Sequence, residues 1–139
     1  AFKNNELNKD FIAVLPFQGP KQNGMPELHQ LTPTLTILQR RGFKVGLITD
    51  GRMSGASGKI PAAIHVVPEA RDGGLISKIQ TGDIILMNAI TGELKCIDQN
   101  VNNRANRTKD NRDVFGLGRE LFFNMRAQVS SSEEGASFL

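Results

Sequence analysis

The sequence has little cysteine, no tryptophan or tyrosine, and no long apolar run. Its 139 residues contain one cysteine. Cys96 alone excludes an internal disulfide, and one cysteine cannot make a zinc or iron–sulfur site, which needs about three or four protein ligands. No apolar run approaches the roughly 18 to 20 residues that cross a bilayer. We therefore expect a soluble, cytoplasmic protein with no membrane partner.

The sequence also has only a small excess of charge of one sign. Lys and Arg number 17 against 14 Asp and Glu, which gives a net charge of +3. Nucleic-acid-binding domains combine clustered positive charge with aromatic side chains that stack on bases, and this sequence has no basic cluster and no Trp or Tyr. No nucleic-acid partner is expected, whereas an anionic small molecule fits the mild excess. The length suits one domain over 1–139. The sequence begins with Ala1 rather than Met, and its polar start does not resemble a signal peptide, so we expect a piece of a longer chain.

The hydrophobic pattern predicts a strand-rich, mixed α/β fold. Strands are predicted at FIAVLPF, FKVGLITD and AAIHVV, and a helix begins at Thr32 between the first two. This order of elements indicates an α/β layer. Further along, the segments LISKIQ, DIILMN and ELKCID alternate in polarity, which predicts antiparallel strands that turn at Gly82 and Gly92.

The last third of the chain contains two segments with different patterns of polar and apolar residues. Residues 99–113 have Val101 as their one aliphatic residue beyond alanine, so a polar surface excursion is predicted there. A helix is predicted over 115–126, since four apolar residues fall on one helical stripe: Leu117, Leu121, Phe122 and Met125.

The segment DGRMSGASGK, residues 50–59, is called the serine loop below. A glycine-rich turn after a buried strand lies at the carboxyl end of that strand, where open α/β sheets bind ligands. Because glycine has no Cβ, the backbone amides of the loop can approach a bound group closely, and the two serines add hydroxyl groups that can hydrogen-bond to it. The loop matches neither the phosphate-binding P-loop nor the Gly-x-Ser-x-Gly nucleophile elbow. The alternative is a tight turn that simply requires glycine.

A serine can act as a base when cations, a metal or oriented amides lower the pKa of its hydroxyl. Arg52, Lys59 and the glycine amides could supply part of that effect, and a metal ion or cluster from elsewhere would supply the rest. The other polar loop, GPKQNGMPE, offers Glu27, a hard oxygen ligand of the kind that Mg²⁺ prefers. The alternative for Glu27 is a carboxylate stabilised by a helix dipole.

The segments GPKQNGMPELHQLTP and TDGRMSGASGKIPAAIHVVPEA together resemble the carboxyl-terminal part of the dihydroxy-acid and sugar-acid dehydratases, a family that uses an iron–sulfur cluster. The motif sequences most resemble those of the branch that acts on 6-phospho-D-gluconate, because ELHQLTP follows the GMP and the serine loop continues into KIPAAIHV. The resemblance extends from about Phe11 to the EEGAS tail. It implies a β-barrel-like β/β/α domain of the swivelling type with flanking helices.

The resemblance also implies a reaction, in which 6-phospho-D-gluconate loses water to give 2-dehydro-3-deoxy-6-phosphogluconate in the Entner–Doudoroff pathway. Matched by motif, Ser54 resembles the base that removes the C2 proton, and Glu27 resembles a Mg²⁺ ligand beside the substrate carboxylate. An iron of a 4Fe-4S cluster would act as Lewis acid on the C3 hydroxyl. The cluster ligands would lie in the protein's own amino-terminal domain, within a homodimer.

Weaker candidates for substrate contact are cationic or hydroxyl side chains in the two loops: Arg52, Ser57, Lys59 and Lys21. Glu69 could face substrate or solvent, His29 lies near the proposed metal loop, His65 is interpreted as a satisfied structural histidine, and Cys96 as a packed strand residue. The alternatives are a dehydratase of another sugar acid or dihydroxy acid, or a non-catalytic sugar-acid-binding module. We expect the isolated domain to be inactive.

Overall fold

A computed structural model of the chain describes residues 1–55, 59–109, 116 and 118–139. In chain order, the helices and strands over these residues are β1 (Phe11–Leu15), α1 (Pro20–Asn23), β2 (Glu27–Leu28), α2 (Thr32–Arg40), β3 (Val45–Thr49), β4 (Arg52–Met53), β5 (Ala62–Ala63), β6 (Ile85–Asn88), β7 (Glu93–Cys96) and α3 (Phe123–Gln128). Short 3₁₀ turns lie at Phe2–Asn4, Ala70–Asp72, Leu75–Ser77, Gln99–Asn103 and Arg119–Phe122.

The centre of the fold is a parallel sheet in the order β1-β3-β5. β1 pairs with β3 from Phe11 opposite Val45 to Leu15 opposite Thr49, and β3 pairs with β5 on its other side. Every residue of β3 is buried. An apolar run without alternation is typical of a parallel strand covered on both faces, and it is what the sequence shows here.

The two faces of this sheet carry two apolar clusters. On one face α2 buries Leu35 and Leu38 against Val45 and Leu47. The spacing of three residues places both leucines on one side of the helix. On the other face, Ile48 packs with residues of the 3₁₀ turns and with the half-buried side chains of β6: Ile85 and Met87. A Cβ on Gly46 would overlap the Met87 side chain, so glycine at this position lets β6 approach β3.

β6 and β7 form an antiparallel hairpin in which Ile85 lies opposite Cys96. The chain that follows, predicted as a polar surface excursion, is mostly exposed over its described residues, but Val101 is buried. Arg104 fastens it to the hairpin base with ion pairs of 2.6 Å to both Asp83 and Asp98. Charge rather than apolar burial therefore holds most of this segment in place.

The mixed α/β class predicted from the sequence is confirmed, and so are the strands in FIAVLPF, FKVGLITD, DIILMN and ELKCID. Three separate sheets, rather than a closed barrel, are formed by the described residues, so the barrel-like arrangement is not confirmed. None of the helices described is long and apolar enough to span a membrane.

Two predicted strands differ from the structure. The strand predicted at AAIHVV is only Ala62–Ala63, because His65 has a left-handed backbone, φ 56°, and the chain turns away. The segment LISKIQ begins with a 3₁₀ turn, Leu75–Ser77, rather than a strand. Ile76 in this turn and Ile79 just after it are both buried.

The predicted helix over 115–126 differs in its bounds. The α-helix runs over Phe123–Gln128 after the 3₁₀ turn Arg119–Phe122, and residues 110–115 and 117 lie outside the described part of the chain. Three residues of the predicted apolar stripe are exposed: Leu121, Phe122 and Met125.

Candidate functional site

Two polar loops leave the same edge of the central sheet. One loop, residues 16–26, follows β1, and the serine loop follows β3. Because β1 and β3 are parallel, both loops start at the carboxyl edge, where α/β sheets bind ligands. The short strands β2 and β4 then join them in parallel, with Glu27 opposite Arg52 and Leu28 opposite Met53. The two motifs singled out in the sequence are thus hydrogen-bonded neighbours.

Because side chains alternate along a strand, this small sheet has one solvent-exposed face and one partly buried face. Glu27 and Arg52 are exposed, whereas Leu28 and Met53 are partly buried, and Met53 packs against the core. Ser54 comes directly after Met53 and is itself half-buried. Ser54 lies just beyond the end of β4, two residues after Arg52. The pairing of β2 with β4 therefore brings the segments that carry the predicted base and the predicted metal ligand side by side.

Both of these groups are left available to a ligand. Neither the Ser54 hydroxyl nor the Glu27 carboxylate has a hydrogen bond to another side chain or backbone group of the described residues. Arg52 differs, since its Nε donates to the Met25 carbonyl at 2.8 Å. This bond crosses from the serine loop to the loop of Glu27 and holds the two together from the exposed side.

Asp50 is a residue of this site that the sequence analysis missed. Its carboxylate is fully buried, with 0% exposure. It accepts hydrogen bonds from three backbone N–H groups, those of Phe17 at 3.0 Å, Gln18 at 2.8 Å and Ala70 at 2.8 Å. One side chain at the end of β3 thereby fixes the loop after β1 and the turn at Ala70. An aspartate directly between a buried strand and a glycine is the signal that could have indicated this role.

Glu69 is a second buried anchor, which corrects the expectation that it faces substrate or solvent. It is 4% exposed and accepts hydrogen bonds from the backbone N–H groups of Lys21, at 3.1 Å, and Gln22, at 2.9 Å. Burial raises the pKa of the Glu69 carboxyl above its ordinary value, although the two N–H groups oppose the shift. The tight fit at this point requires glycine at position 19, because a Cβ there would overlap the Glu69 side chain.

The remaining candidates lie in different environments. The Lys21 ammonium donates to Asp72 at 2.6 Å, and this bond raises the pKa of Lys21. Lys59 is exposed. Ser57 lies outside the described residues. His29 is exposed just after Glu27, and His65 is also exposed, which corrects its interpretation as a histidine satisfied inside the structure. Cys96 is half-buried on β7, as expected of a strand residue.

The donor atoms within this chain decide which cofactors its residues fit. Over the described ranges, no three His, Cys, Asp or Glu side chains gather closely enough to hold a metal ion. Glu27 fits a Mg²⁺ site as one exposed carboxylate ligand, provided that the other ligands come from outside this chain. Cys96 is a lone thiol on the hairpin and does not fit as the holder of an iron–sulfur cluster.

Comparison with known proteins agrees with the two motifs. A family model described as dihydroxy-acid/6-phosphogluconate dehydratase C-terminal matches residues 1–136. Proteins named phosphogluconate dehydratase are similar to almost the whole chain, at 54% identity over 98% of it in Pseudomonas aeruginosa and 49% over 99% of it in Escherichia coli. A dihydroxy-acid dehydratase from Methanosphaera stadtmanae is 39% identical over 78% of the chain and 20% of that protein.

The chain covers only part of these relatives. It spans 23% of the length of the phosphogluconate dehydratases from both Pseudomonas aeruginosa and Escherichia coli. The matched range, residues 1–136, nevertheless spans both polar loops and the positions of Asp50 and Glu69. The chain therefore belongs to the dihydroxy-acid and 6-phosphogluconate dehydratase family, of which it forms the carboxyl-terminal domain.

Proposed function

We propose that this domain supplies the proton acceptor and one metal ligand to a hydro-lyase that converts 6-phospho-D-gluconate to 2-dehydro-3-deoxy-6-phosphogluconate and water, the dehydration step of the Entner–Doudoroff pathway. The observation that carries the proposal is the parallel pairing of Glu27 with Arg52, which lies two residues before Ser54. Among the described residues, neither the Glu27 carboxylate nor the Ser54 hydroxyl has a hydrogen-bond partner. The higher identity to phosphogluconate dehydratases than to the dihydroxy-acid dehydratase supports this substrate.

Ser54 is the proposed base. Its Oγ, as an alkoxide, takes the proton from C2 of the substrate, and the electron pair released forms the C2–C3 double bond as the C3 hydroxyl leaves. The proton taken up by Ser54 passes to the departing hydroxide, directly or through solvent, which gives water and restores the alkoxide. The resulting enol then gains a proton at C3 and loses one from the C2 hydroxyl to become the 2-keto acid. An alkoxide is accessible near neutral pH only beside positive charge, which makes a cationic setting a requirement. Arg52 and Lys59 supply two such charges in the serine loop.

Glu27 is the proposed Mg²⁺ ligand, and bound Mg²⁺ would hold the substrate carboxylate and favour removal of the neighbouring C2 proton. The described residues do not fit the ligand set of an iron–sulfur cluster. We place those ligands in the protein's own amino-terminal domain, in a cytoplasmic homodimer. Ser57 and Lys59 are proposed substrate contacts, whereas Lys21 is a weaker one because Asp72 engages its ammonium.

The test is Ser54→Ala in the complete enzyme. Alanine retains the backbone of the serine loop and removes only the hydroxyl, so substrate affinity should change little. Loss of a general base commonly costs about 10² to 10⁴ in rate, and kcat should fall at least that far. Solvent exchange of the substrate C2 hydrogen, followed by NMR, should disappear with it.

Ser57→Ala is the matched control, because it removes a hydroxyl from the same glycine-rich loop outside the GRMSG motif. We expect a smaller loss of kcat, with C2 exchange retained. Near-normal kcat in Ser54→Ala, or exchange that depends on Ser57, would show that the base is another residue. If the complete wild-type protein binds the substrate but does not turn it over, the alternative of a non-catalytic sugar-acid-binding module is favoured.

A further inference from the structure

His65 has a backbone conformation that residues other than glycine rarely adopt. Its φ is 56°, in the left-handed region. Strained residues of this kind persist only where the surrounding structure holds them, and they cluster at active sites and ligand-binding sites. Phe17 and Met25, in the loop after β1, have the same left-handed backbone. Strained backbone therefore occurs both in the polar loop before Glu27 and in the segment after β5.

His65 lies against the start of the serine loop. Its N–H donates to the Gly51 carbonyl at 2.9 Å, and the N–H of the next residue, Val66, donates to the Thr49 carbonyl at 3.1 Å. Gly51 lies three residues before Ser54. Because β5 is parallel to β3, the segment that follows β5 lies at the same carboxyl edge as the two polar loops. The fold thus brings a histidine to the candidate site.

Glu27 and His65 approach the serine loop from opposite sides. β1 and β5 lie on opposite sides of β3 in the central sheet. Glu27 follows the loop after β1 and pairs with Arg52, whereas His65 follows β5 and is bonded to Gly51. The segment that leads to Ser54 therefore has the predicted metal ligand on one side and an imidazole on the other.

The His65 side chain is exposed, and it has no hydrogen bond or ion pair within the part of the chain that the structure describes. The other histidine differs. The Nδ1 of His29 lies 3.3 Å from the Glu27 carbonyl oxygen, and the backbone of His29 is not left-handed. No polar contact of its own side chain thus offsets the backbone strain at His65, and the imidazole is free to meet a ligand.

The proposed dehydration requires a proton acceptor that has not been assigned. After water has left, the enol must lose the proton of its C2 hydroxyl. Ser54 and Glu27 have other roles, and the cationic side chains of the serine loop have no lone pair that accepts a proton. The carboxylates of Asp50 and Glu69 are buried against backbone N–H groups. Imidazole is suited to this step, because it both accepts and releases protons near neutral pH.

We propose, resting on the function proposed above, that His65 is a catalytic residue that converts the enol to the keto acid. The imidazole takes the proton of the C2 hydroxyl, the C2–O bond becomes a carbonyl, and the C2–C3 electron pair takes a proton from water at C3. The imidazolium then gives its proton to the hydroxide left by that water, which restores both imidazole and water. Because the enol is converted before release, C3 is protonated on one face.

Dehydration of 6-phospho-D-gluconate in D₂O by the complete enzyme tests the proposal through the product rather than the rate. The wild-type enzyme should give a keto acid with one deuterium at C3, in a single diastereomer that NMR of the early product identifies. His65→Asn should retain the backbone, since asparagine also adopts the left-handed region. This variant should release the enol, which becomes the keto acid in solution and gives both diastereomers in about equal amounts.

Two further variants complete the experiment. His65→Gly removes the backbone strain together with the imidazole, and it should lose the stereospecificity in the same way. Asn5→Gly makes the same backbone change at a left-handed residue remote from the candidate site, and it should retain a single diastereomer. A single diastereomer from both His65 variants would overturn the proposal, as would a loss of stereospecificity in His29→Asn with none in His65→Asn.

The experiment separates this proposal from the proposed function. Absence of keto acid from the complete wild-type enzyme would overturn both. Turnover that Ser54→Ala abolishes, together with one diastereomer from His65→Asn, would leave the proposed function in place and overturn the role of His65 alone.

Discussion

Gly19 lies so close to Glu69 that a Cβ on the glycine would overlap the buried carboxylate. The same carboxylate receives the N–H groups of Lys21 and Gln22 at the start of α1. The contact fixes how closely the loop after β1 approaches the turn at Ala70. The geometry of the candidate site therefore depends on a glycine and a glutamate 50 residues apart in the chain, neither of which forms a hydrogen bond with Ser54 or Glu27 in the described structure.

Gly19→Ala should destabilise the domain by about 1–3 kcal/mol, because the added methyl must displace a buried, hydrogen-bonded side chain. Urea denaturation of the purified domain measures the change. Gly55→Ala is the matched control, since open space surrounds that position, and its cost should be below about 1 kcal/mol. Equal stability of the two variants would contradict the close packing between Gly19 and Glu69.

Glu69→Gln should change how stability depends on pH. Burial raises the pKa of Glu69 in the folded state, so ionisation is easier in the unfolded chain. The stability that Glu69 contributes is therefore fully present below its ordinary value of 4.5 and is lost as the pH rises through the raised pKa. Glutamine cannot ionise and lacks this dependence.

The measurement is the free energy of unfolding of the wild-type and Gln variant domains from about pH 4 to pH 8. The difference, wild type minus variant, should fall as the pH rises and then level off, while contributions from the other carboxylates cancel. A difference that stays flat or grows with pH would show that the two N–H groups outweigh burial at Glu69.

Glu27→Gln in the complete enzyme should raise the Mg²⁺ concentration needed for half-maximal activity by about tenfold or more, because one anionic oxygen is lost from a hard-cation site. Magnesium titration of the initial rate checks this. Glu93→Gln, on the hairpin, is the control for the loss of a surface carboxylate and should leave the titration unchanged. An unchanged titration in Glu27→Gln would leave Glu27 as a solvent-facing carboxylate only.

The purified domain alone should fold and show no turnover of 6-phospho-D-gluconate with added iron and Mg²⁺. Its described residues offer one candidate metal ligand, and the chain has a single cysteine. Circular dichroism and a coupled assay for the keto-acid product test the two halves of the prediction. Turnover that disappears in Ser54→Ala would prove that this domain is sufficient for catalysis.

The elements predicted well from the sequence are those whose burial is continuous or periodic. β3 is an uninterrupted buried run, and the two leucines of α2 are three residues apart on one face, so each pattern identifies its element. The strand predicted at LISKIQ is wrong because the apolar pattern of a few residues does not distinguish a strand from a 3₁₀ turn, here one in which Ile76, Ser77 and Ile79 are all buried.

The anchors of the site were missed for a different reason. Asp50 and Glu69 act on backbone N–H groups that lie 32 and 47 residues away in the chain, those of Gln18 and Gln22. Backbone groups have no side-chain identity, so no residue pattern indicates that they will meet a carboxylate. Motifs identified Ser54 and Glu27, whereas the side chains that hold their loops became visible only in the folded chain.

The two polar loops are connected twice. The Arg52 Nε donates a hydrogen bond to the Met25 carbonyl, and β2 pairs with β4 over two residues, so the loops should move together. A ligand that pulls on Arg52 also pulls on the segment that carries Glu27, and a cation drawn to Glu27 shifts the segment that carries Ser54. Linkage requires that such an influence be equal in both directions. We therefore expect occupancy at one end of this surface to alter affinity at the other, and substitutions at either end to change both.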